Sequence, residues 1–482
     1  MFSTVYFAAS SVLSCDGIPA ALAAKVLDGQ LHDAARLAAN FADSDALASQ
    51  TSASAYAALQ IYGDIELVLG RDEEAEETYR KTQKAIRHSR DAMRIVSVRN
   101  TGWQACFRSQ FHVALTCFKR VVEDKAATPA QQLDSMIGAT LVLFQLGCVQ
   151  AACDRLSELA VRAAAHADRR WAYLVEMLRK DLRAQHQLHD TEPLADHIYW
   201  RAVVTSLQAL DTPAAPAAGL AMPLLAQRLD YLTHLQAFAG GRATARESLK
   251  DHAAWSRKMG LNEYHRSLCL EMTLGAIAAG ATSAAEDLLE QSGAAAIHGS
   301  QHARWYLDYL YCRAKIMQQQ MRTQEFATLY GRYALASIQH VRADSVSLPS
   351  ASTPASDRAA QSRHAPRADD VSARLPAKYR RAYRYLMDNL DQKDLSVREV
   401  ASQIGVTERA MQGAFKKHLG LSPSELIRRQ RMERIREELL DDDAPVARVL
   451  DVAKKWGVQH RSTLINGYRS VFNEAPSETL GR

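Results

Sequence analysis

The amino-acid sequence predicts an all-α protein: a long N-terminal array of helical hairpins, a flexible linker, and a small C-terminal domain with two helix-turn-helix units. The chain has only 22 glycines and 13 prolines in 482 residues, and this scarcity of chain-breaking residues favours long helices over a turn-rich sandwich or barrel. Apolar residues recur with helical spacing through the alanine- and leucine-rich first part. Near the end, two similar helix-turn-helix patterns follow one another.

The first part of the chain carries a repeated pattern of small residues. A glycine, an alanine five residues later and a large apolar residue four further on recur at Gly70/Ala75/Tyr79, Gly147/Ala152/Leu156, Gly240/Ala245/Leu249 and Gly280/Ala285/Leu289. Gly63 and Gly102 each lie twelve residues before a further alanine of the pattern, Ala75 or Ala114. These positions resemble the tetratricopeptide repeat (TPR), in which small residues let two antiparallel helices approach closely. Residues 1–341 are therefore predicted to form a TPR-like regulatory or interaction domain. The alternative is an irregular all-helical domain with coincidental alanine spacing.

Residues 342–374 differ in composition from the rest of the chain. The stretch 345–367 has three prolines, many serines and no aromatic residue, so it cannot bury enough apolar surface to offset the entropy of ordering. We expect a flexible linker here, followed by a C-terminal domain over residues 375–482. This domain holds 20 Lys and Arg against 15 Asp and Glu, which accounts for the whole net charge of +5, because the preceding residues carry 39 of each sign. The local basic excess indicates nucleic acid as a partner, although a solvated charged surface has the same composition.

The sequence also disfavours several locations for the protein. It has no run of 18 apolar residues, which excludes a membrane-spanning helix, and no membrane partner is expected. The N-terminal residues 1–5 lack the basic residues of a secretory signal, and Ser14-Cys15 is only a weak lipoprotein-like pattern. Seven cysteines without a Cys-x-x-Cys pair favour a reducing compartment. A cytoplasmic protein is predicted.

No sequence pattern indicates an enzyme, a cofactor or a metal ion. The chain has no Gly-rich phosphate loop, no His-Glu-x-x-His and no Gly-x-Ser-x-Gly. His186, His189 and His197, with Asp190 and Asp196, come nearest to a metal cluster. Histidines at such spacing are usually surface or hydrogen-bonded residues, so no catalytic or metal-binding residue is predicted.

The strongest pattern is a helix-turn-helix over residues 396–419. Ser396 with Glu399 has the form of a capping box. One face of the short helix that follows is apolar, formed by Val397, Val400, Ala401 and Ile404. Gly405 suits the turn, and Thr407 is a good cap for a second helix. The inner face of this second helix is Met411, Phe415 and Leu419. In such a unit the second helix lies in the DNA major groove.

The same pattern returns later in the chain at a constant offset. Five positions repeat 52 residues on, at Val449, Val452, Ala453, Gly457 and Val458, and two repeat 53 residues on, at Leu464 and Tyr468. Between the units, Ser422-Pro-Ser-Glu425 combines a cap, a first-turn proline and a capping glutamate. It opens a predicted helix to about Leu440 that would hold the two units in fixed register.

Residues 375–482 resemble the DNA-binding domain of AraC/XylS-type transcription activators. The matching elements are Gly405, Phe415-Lys-Lys417, Gly420-Leu-Ser-Pro423, Gly457, Phe472 and Pro476-Ser-Glu478. The resemblance implies that exposed positions of both recognition helices read bases, here Arg409, Gln412 and Gly413 in the first and Arg461, Ser462 and Asn466 in the second. Arginine can reach guanine, and Gln412 suits adenine. Gly413 and Asn466 depart from the arginine often found at these places, so base preference does not transfer directly.

Further residues of the domain have two interpretations each. Phosphate contacts are predicted at Lys416, Lys417, Arg428, Lys455 and Arg469, each of which could equally be a surface charge. Phe415, Trp456 and Phe472 are interpreted as core residues rather than stacking platforms for bases. The acidic run 441–443 is expected to cap the next helix, with a contact to polymerase or another protein as the alternative.

The combination of a long helical array with this C-terminal domain is similar to the HrpB/HrpX-type activators of type III secretion genes. The resemblance implies a virulence-gene activator whose partners are promoter DNA and RNA polymerase. A protein or small-molecule effector on the helical domain, and a second copy of the chain in a homodimer, are further candidate partners. The alternative from another class is a helical-repeat scaffold or chaperone whose helix-turn-helix pair packs against protein without specific DNA binding.

Overall fold

The computed structural model describes the residues in the ranges 2–43, 53–86, 89–198, 222–292, 304–346, 375–393, 395–439, 449–472 and 474–476. These ranges contain helices and no strand, which confirms the predicted all-α class. The chain divides into two compact units, Met1–Ser352 and Thr353–Arg482. Residues 347–374, most of the predicted linker, lie outside the described ranges.

The first unit is built from sixteen described α-helices. The first eight are α1 (Ser3–Ser14), α2 (Ala20–Leu27), α3 (Leu31–Asp43), α4 (Ala53–Val68), α5 (Asp72–Ala85), α6 (Arg90–Phe107), α7 (Phe111–Glu123) and α8 (Pro129–Gln145). The other eight are α9 (Val149–Ala165), α10 (Arg170–His189), α11 (Pro223–Ala239), α12 (Ala245–Lys258), α13 (Asn262–Ala278), α14 (Thr282–Gln291), α15 (Arg304–Gln319) and α16 (Thr323–Val346). A short 3₁₀ turn, Glu192–Leu194, follows α10. Helix α16 continues five residues past the start of the predicted linker.

Consecutive helices of the first unit pack as hairpins: α4 with α5, α6 with α7, α8 with α9, α11 with α12, α13 with α14, and α15 with α16. The glycines of the repeated pattern end the first helix of a hairpin. Gly70, Gly147 and Gly280 have φ of 75°, 74° and 71°, a backbone conformation that glycine adopts without strain. At the fourth repeat it is Gly241, with φ 88°, and not the predicted Gly240, that occupies this conformation.

Close helix packing explains the glycines that lie twelve residues before an alanine. A Cβ atom at Gly63 would lie 2.6 Å from the Tyr79 ring, and one at Gly102 would lie 2.9 Å from the Phe118 ring. These glycines therefore let the two helices of a hairpin approach with an aromatic side chain between them. The likeness of the array to a tetratricopeptide solenoid stays a prediction.

The second unit contains six described helices: α17 (Ala377–Asp388), α18 (Val397–Gln403), α19 (Glu408–Leu419), α20 (Pro423–Leu439), α21 (Val449–Lys455) and α22 (Arg461–Phe472). Of the predicted caps, Thr407 accepts a hydrogen bond from the Ala410 backbone N–H at 3.2 Å. Ser422 and Glu425 form a reciprocal capping box at the start of α20. Ser396 accepts from the Arg398 backbone N–H and so caps α18 through its own hydroxyl.

Among the described residues, no helix is both long and apolar enough to cross a membrane. No three His, Cys, Asp or Glu side chains of the described ranges come together in a way that could hold a metal ion. His197, from the histidine group considered above, instead lies 3.3 Å from a carboxylate oxygen of Asp308 and packs on the Tyr311 ring. The acidic run 441–443 lies outside the described residues.

Candidate nucleic-acid interface

Two small hydrophobic cores support the helix-turn-helix units. The first joins α17, α18, α19 and the start of α20, and its buried residues are Leu375, Ala382, Leu386, Leu390, Val400, Ala401, Met411, Phe415, Leu426 and Ile427. The second joins the rest of α20 with α21 and α22, and its buried residues are Met432, Ile435, Val452, Ala453, Val458, Leu464 and Tyr468. The duplicated apolar positions of the sequence therefore occupy equivalent places in two separate cores.

Helix α20 ties the two cores together. Its first turns give Leu426 and Ile427 to the first core, and its later turns give Met432 and Ile435 to the second. Trp456, half-buried, packs against both cores, and its indole N–H donates to a Glu438 carboxylate oxygen at 2.7 Å. Helix α20 consequently fixes the relative placement of the two helix-turn-helix units, because it contributes buried residues to both of their cores.

The turns between the paired helices are both made by glycine. Gly405 has φ 59° and Gly457 has φ 73°. The surroundings of these two equivalent glycines differ. A Cβ at Gly405 would meet nothing within 4 Å, whereas a Cβ at Gly457 would lie 2.7 Å from a terminal nitrogen of Arg431 and 3.2 Å from the Asp391 carbonyl oxygen.

All six residues predicted to read bases are exposed. In α19 they are Arg409, Gln412 and Gly413, and at the start of α22 they are Arg461, Ser462 and Asn466. In α19 all three lie away from the buried Met411 and Phe415. In α22, Ser462 and Asn466 lie away from the buried Leu464 and Tyr468, whereas Arg461 is exposed as the first residue of the helix. The two helices thus present polar side chains of the kind that recognise base edges.

The side chains of α19 add a detail that the sequence did not reveal. The Gln412 amide nitrogen donates to a Glu408 carboxylate oxygen at 3.1 Å, so this amide is already oriented by its own helix. Gly413 faces open space, since a Cβ built there would meet nothing within 4 Å. The absence of a side chain at Gly413 leaves the backbone of α19 accessible on its outer face.

The predicted phosphate contacts fall into two groups. Lys416, Lys417, Arg428 and Arg469 are exposed. Lys455 is exposed as well, but its ammonium group lies 2.7 Å from a Glu438 carboxylate oxygen in an ion pair. Ion pairs this exposed are weak, but among the described residues Lys455 has a carboxylate partner at ion-pair distance.

The aromatic residues of the domain belong to its cores. Phe415 is fully buried. Phe472 is half-buried, packs on Tyr468 with 4.8 Å between ring centroids, and lies beneath the Arg436 guanidinium at 4.4 Å. Together with Trp456, which is bound to Glu438, these rings are engaged within the domain.

Arg431 is a residue that the sequence reasoning missed. Its guanidinium donates to the Leu390 carbonyl at 2.9 Å and to the Gln392 carbonyl at 2.5 Å, and lies 3.4 Å from the Gly457 carbonyl oxygen. Burial lowers the pKa of this arginine, and the charge of Asp391 opposes that effect. Arg431 therefore links helix α20, the segment after α17 and the turn of the second helix-turn-helix unit. Its place on a helix with several other arginines gave no signal of this role.

Two helix-turn-helix units, held by one helix and exposing polar side chains on the second helix of each, define a DNA-binding transcription regulator of the AraC/XylS type. In agreement, a family model described as a helix-turn-helix domain matches residues 400–482. The chain belongs to the HrpB family of regulatory proteins: it is 38% identical over 439 residues to the regulatory protein HrpB of Ralstonia nicotianae, covering 89% of this chain and 90% of that protein.

Other relatives match a shorter part of the chain. The XylDLEGF operon transcriptional activator 3 of Pseudomonas putida is 35% identical over 104 residues, which are 22% of this chain and 31% of that activator. The multiple antibiotic resistance protein MarA of Salmonella typhimurium is 28% identical over 92 residues, 19% of this chain and 69% of MarA. No solved structure gives a significant match.

Proposed function

We propose that this regulator activates type III secretion and virulence genes by binding promoter DNA in the cytoplasm and recruiting RNA polymerase. The similarity to the regulatory protein HrpB extends over both the helical array and the C-terminal domain, which supports the same overall task. The exposure of all six candidate base readers, on helices whose opposite faces form two matched cores, carries the DNA-binding part of the proposal.

In the proposed complex, α19 and α22 enter successive major grooves on one face of the DNA. Arg409 and Arg461 each contact guanine through O6 and N7, and Gln412, with its amide nitrogen held by Glu408, offers its carbonyl oxygen to a base donor. At Gly413 the helix backbone approaches the groove more closely than an arginine would allow. Ser462 and Asn466 supply the shorter contacts of the second helix.

The lysines and arginines around the two helices supply the affinity that does not depend on sequence. Lys416 and Lys417 occupy the last turn of α19, and Arg428 lies in the second turn of α20. Arg469 has the corresponding place late in α22. Contacts of these cations with phosphates release counterions, so binding weakens as salt rises.

The helical array is proposed to supply regulatory input through a protein, a small molecule or a second copy of the chain. Arrays of helical hairpins present extended inner surfaces that suit such partners. The first unit, Met1–Ser352, is much longer than the DNA-binding unit, Thr353–Arg482. This size supports a role for the array beyond tethering.

Alanine substitution of Arg409 and of Arg461 tests direct base reading. Each change is expected to cost about 1–3 kcal/mol on a cognate promoter fragment and to relax the preference at one base position. The matched control is Arg429→Ala, which removes an exposed arginine of α20 that pairs with Glu433 at 3.0 Å. Affinities are measured by fluorescence anisotropy on the cognate fragment, on single-base variants of it and on random DNA.

The specificity ratio decides between direct reading and general electrostatic attraction. Loss on the cognate fragment with little loss on random DNA supports the proposal. An equal loss on both kinds of DNA, or no greater loss than for the control, contradicts the roles of Arg409 and Arg461. Absence of any preference for promoter DNA in the unaltered chain would favour the scaffold or chaperone alternative.

A further inference from the structure

The N-terminal helix α1 is surrounded by the rest of the first unit. Every residue from Ser3 to Leu13 is buried, none more than 7% exposed. The stretch 2–14 contains no charged residue. It combines aromatic and aliphatic side chains with four serines and one threonine. A helix buried on all sides in this way has no solvent face.

Helix α1 packs on the inner helices of several hairpins. It contacts α2, α4, α8, α10, α11 and α13. Four of these, α4, α8, α11 and α13, are the first helix of a hairpin described above. Stacked hairpins present one helix of each pair along a continuous surface, which is the usual binding surface of such arrays. The segment 3–14 thus lies where a ligand of the array would lie.

A buried ionic cluster meets one side of α1. The Arg99 guanidinium lies 2.7 Å from an Asp64 oxygen and 2.9 Å from an Asp134 oxygen. Two hydroxyls of α1 join the cluster: Ser10 donates to Asp134 at 2.6 Å, and Ser11 donates to Asp64. Trp103 and Tyr79 also donate to these two carboxylates. These three charged side chains come from α4, α6 and α8, and none is more than 5% exposed.

A second cluster of the same kind meets α1 nearer its start. The Arg228 guanidinium lies 2.7 Å from an Asp181 oxygen and 2.8 Å from a Glu271 oxygen. The Tyr6 hydroxyl donates to Asp181 at 2.9 Å. Burial raises the pKa of Tyr6, and the Asp181 charge raises it further, so the hydroxyl keeps its proton.

Both arginines also face aromatic rings of the segment 2–14. The Arg99 guanidinium carbon lies 5.3 Å from the Phe7 ring centroid, and that of Arg228 lies 5.5 Å from the Phe2 ring centroid. These distances are within the range of cation–π attraction. Each cluster therefore recognises α1 in two ways, through a hydroxyl on a carboxylate and through a ring beneath a guanidinium.

Stability alone does not account for these clusters. Each contains two carboxylates and one arginine, and replacing buried ions of this kind by packed apolar residues is often neutral or stabilising. Buried ions can confer specificity, because a helix without donors at matching positions removes a hydrogen bond from each of these buried carboxylates. Charged groups from six helices converge on one uncharged helix, which is the arrangement of a binding site around its ligand.

We propose that the inner face of the array is a binding site for an uncharged, hydroxyl-bearing α-helix, and that residues 2–14 are its ligand, held in cis and exchangeable. The recognised chemistry is a tyrosine and two adjacent serines at the spacing of Tyr6, Ser10 and Ser11, with phenylalanines at the positions of Phe2 and Phe7. The occupant is this segment itself, whether attached to its own chain or supplied as a separate peptide.

The test uses the full chain with a protease site inserted between Asp16 and Gly17, which are exposed in the connection from α1 to α2. After cleavage, the N-terminal fragment is expected to remain bound in gel filtration and to exchange with an excess of fluorescent peptide of residues 1–16. Exchange is followed by anisotropy and competed with unlabelled peptides.

Peptide variants separate recognition of the hydroxyls from general burial. Tyr6→Phe, Ser10→Ala and Ser11→Ala are each expected to weaken competition about tenfold, because each removes one hydrogen bond to a buried, charged carboxylate. The matched control is Ser3→Ala: the Ser3 hydroxyl is buried but has no hydrogen-bond partner among the described residues, so this peptide should compete like the unaltered one. Equal competition by all four variants would overturn the proposed recognition.

Hydrogen exchange on the intact, uncut chain gives a second readout that does not depend on tolerance of the insertion. Exchangeable binding predicts that the amides of α1 open at a lower free energy than those of α8, against which α1 packs. If the amides of α1 and α8 exchange only together, or if the cleaved fragment leaves only when the array unfolds, α1 is a fixed core helix and the proposal fails.

Discussion

Alanine substitution at the two turn glycines gives a prediction in which each unit serves as the control for the other. Gly405 and Gly457 have equivalent places in the two helix-turn-helix units and similar φ angles of 59° and 73°. Gly405→Ala changes only the backbone preference, because its surroundings are open, whereas the new Cβ of Gly457→Ala collides with Arg431. The two substitutions should therefore differ in cost although the sequence change is the same.

The magnitudes follow from the contacts. Placing alanine in the left-handed conformation costs about 1–2 kcal/mol, and this is the whole expected effect at Gly405. At Gly457 the Arg431 nitrogen, 2.7 Å from the new Cβ, must move away from its carbonyl partners. Hydrogen bonds from a charged donor contribute about 1.5–3 kcal/mol each, so losing one brings the total for Gly457→Ala to about 2.5–5 kcal/mol.

Hydrogen–deuterium exchange of the full chain measures these local costs. Peptides covering α18–α19 and α21–α22 report the opening free energy of each unit, and a change of 1.4 kcal/mol corresponds to about a tenfold faster exchange under equilibrium conditions. Gly405→Ala is expected to accelerate exchange about tenfold in the first helix-turn-helix unit. Gly457→Ala is expected to accelerate exchange by about a hundredfold or more in the second helix-turn-helix unit.

A double substitution identifies Arg431 as the cause of the difference. In an Arg431→Ala background the contact with the guanidinium is gone and only the 3.2 Å contact with the Asp391 carbonyl oxygen remains, so the cost of Gly457→Ala should fall close to that of Gly405→Ala. Equal exchange for the two single variants, or an undiminished effect of Gly457→Ala without Arg431, would refute the role assigned to the Arg431 contacts.

Two further predictions concern the phosphate contacts and acid stability. Lys416→Ala should reduce the slope of the logarithm of the DNA-binding constant against the logarithm of the salt concentration by about 0.9. Lys455→Ala should reduce it by clearly less, because the ammonium group of Lys455 already pairs with Glu438. Equal slopes for the two variants in gel-shift titrations would show that Lys455 contacts phosphate as fully as Lys416. Burial in the first unit, with the Arg228 charge adding to it, lowers the pKa of His252 from 6.5 to about 3, so the unfolded chain binds the proton and stability falls as pH drops below about 6.5. Between pH 7 and pH 5 the protonation of His252 lowers the free energy of unfolding by about 2 kcal/mol. His252→Gln should therefore lose correspondingly less stability than the unaltered chain when thermal unfolding is compared at the two pH values. An identical loss in both proteins would contradict this role of His252.

The sequence allowed prediction of the fold class and of the internal organisation of the C-terminal domain. Helical spacing and the scarcity of chain breakers predicted an all-α chain, since both act locally along the backbone. The offset of 52 predicted that Val400 and Val452 lie in equivalent surroundings, and the structure places them in two matched cores. The capping box of Ser422 and Glu425 was also readable, because its partners are three residues apart.

Helical periodicity shows which face of a helix is buried, but it does not show what lies against that face. The sequence by itself therefore showed that residues 2–14 carry no charge, that the helix opened by Ser422 is rich in arginine and that Lys455 is a candidate phosphate contact or surface charge. Only the tertiary structure brought Asp64, Asp134 and Asp181 from three separate helices onto one side chain each of α1. It likewise placed Arg431 against Gly457. Such contacts join residues far apart in the chain, and their formation depends on how whole helices pack rather than on any local preference.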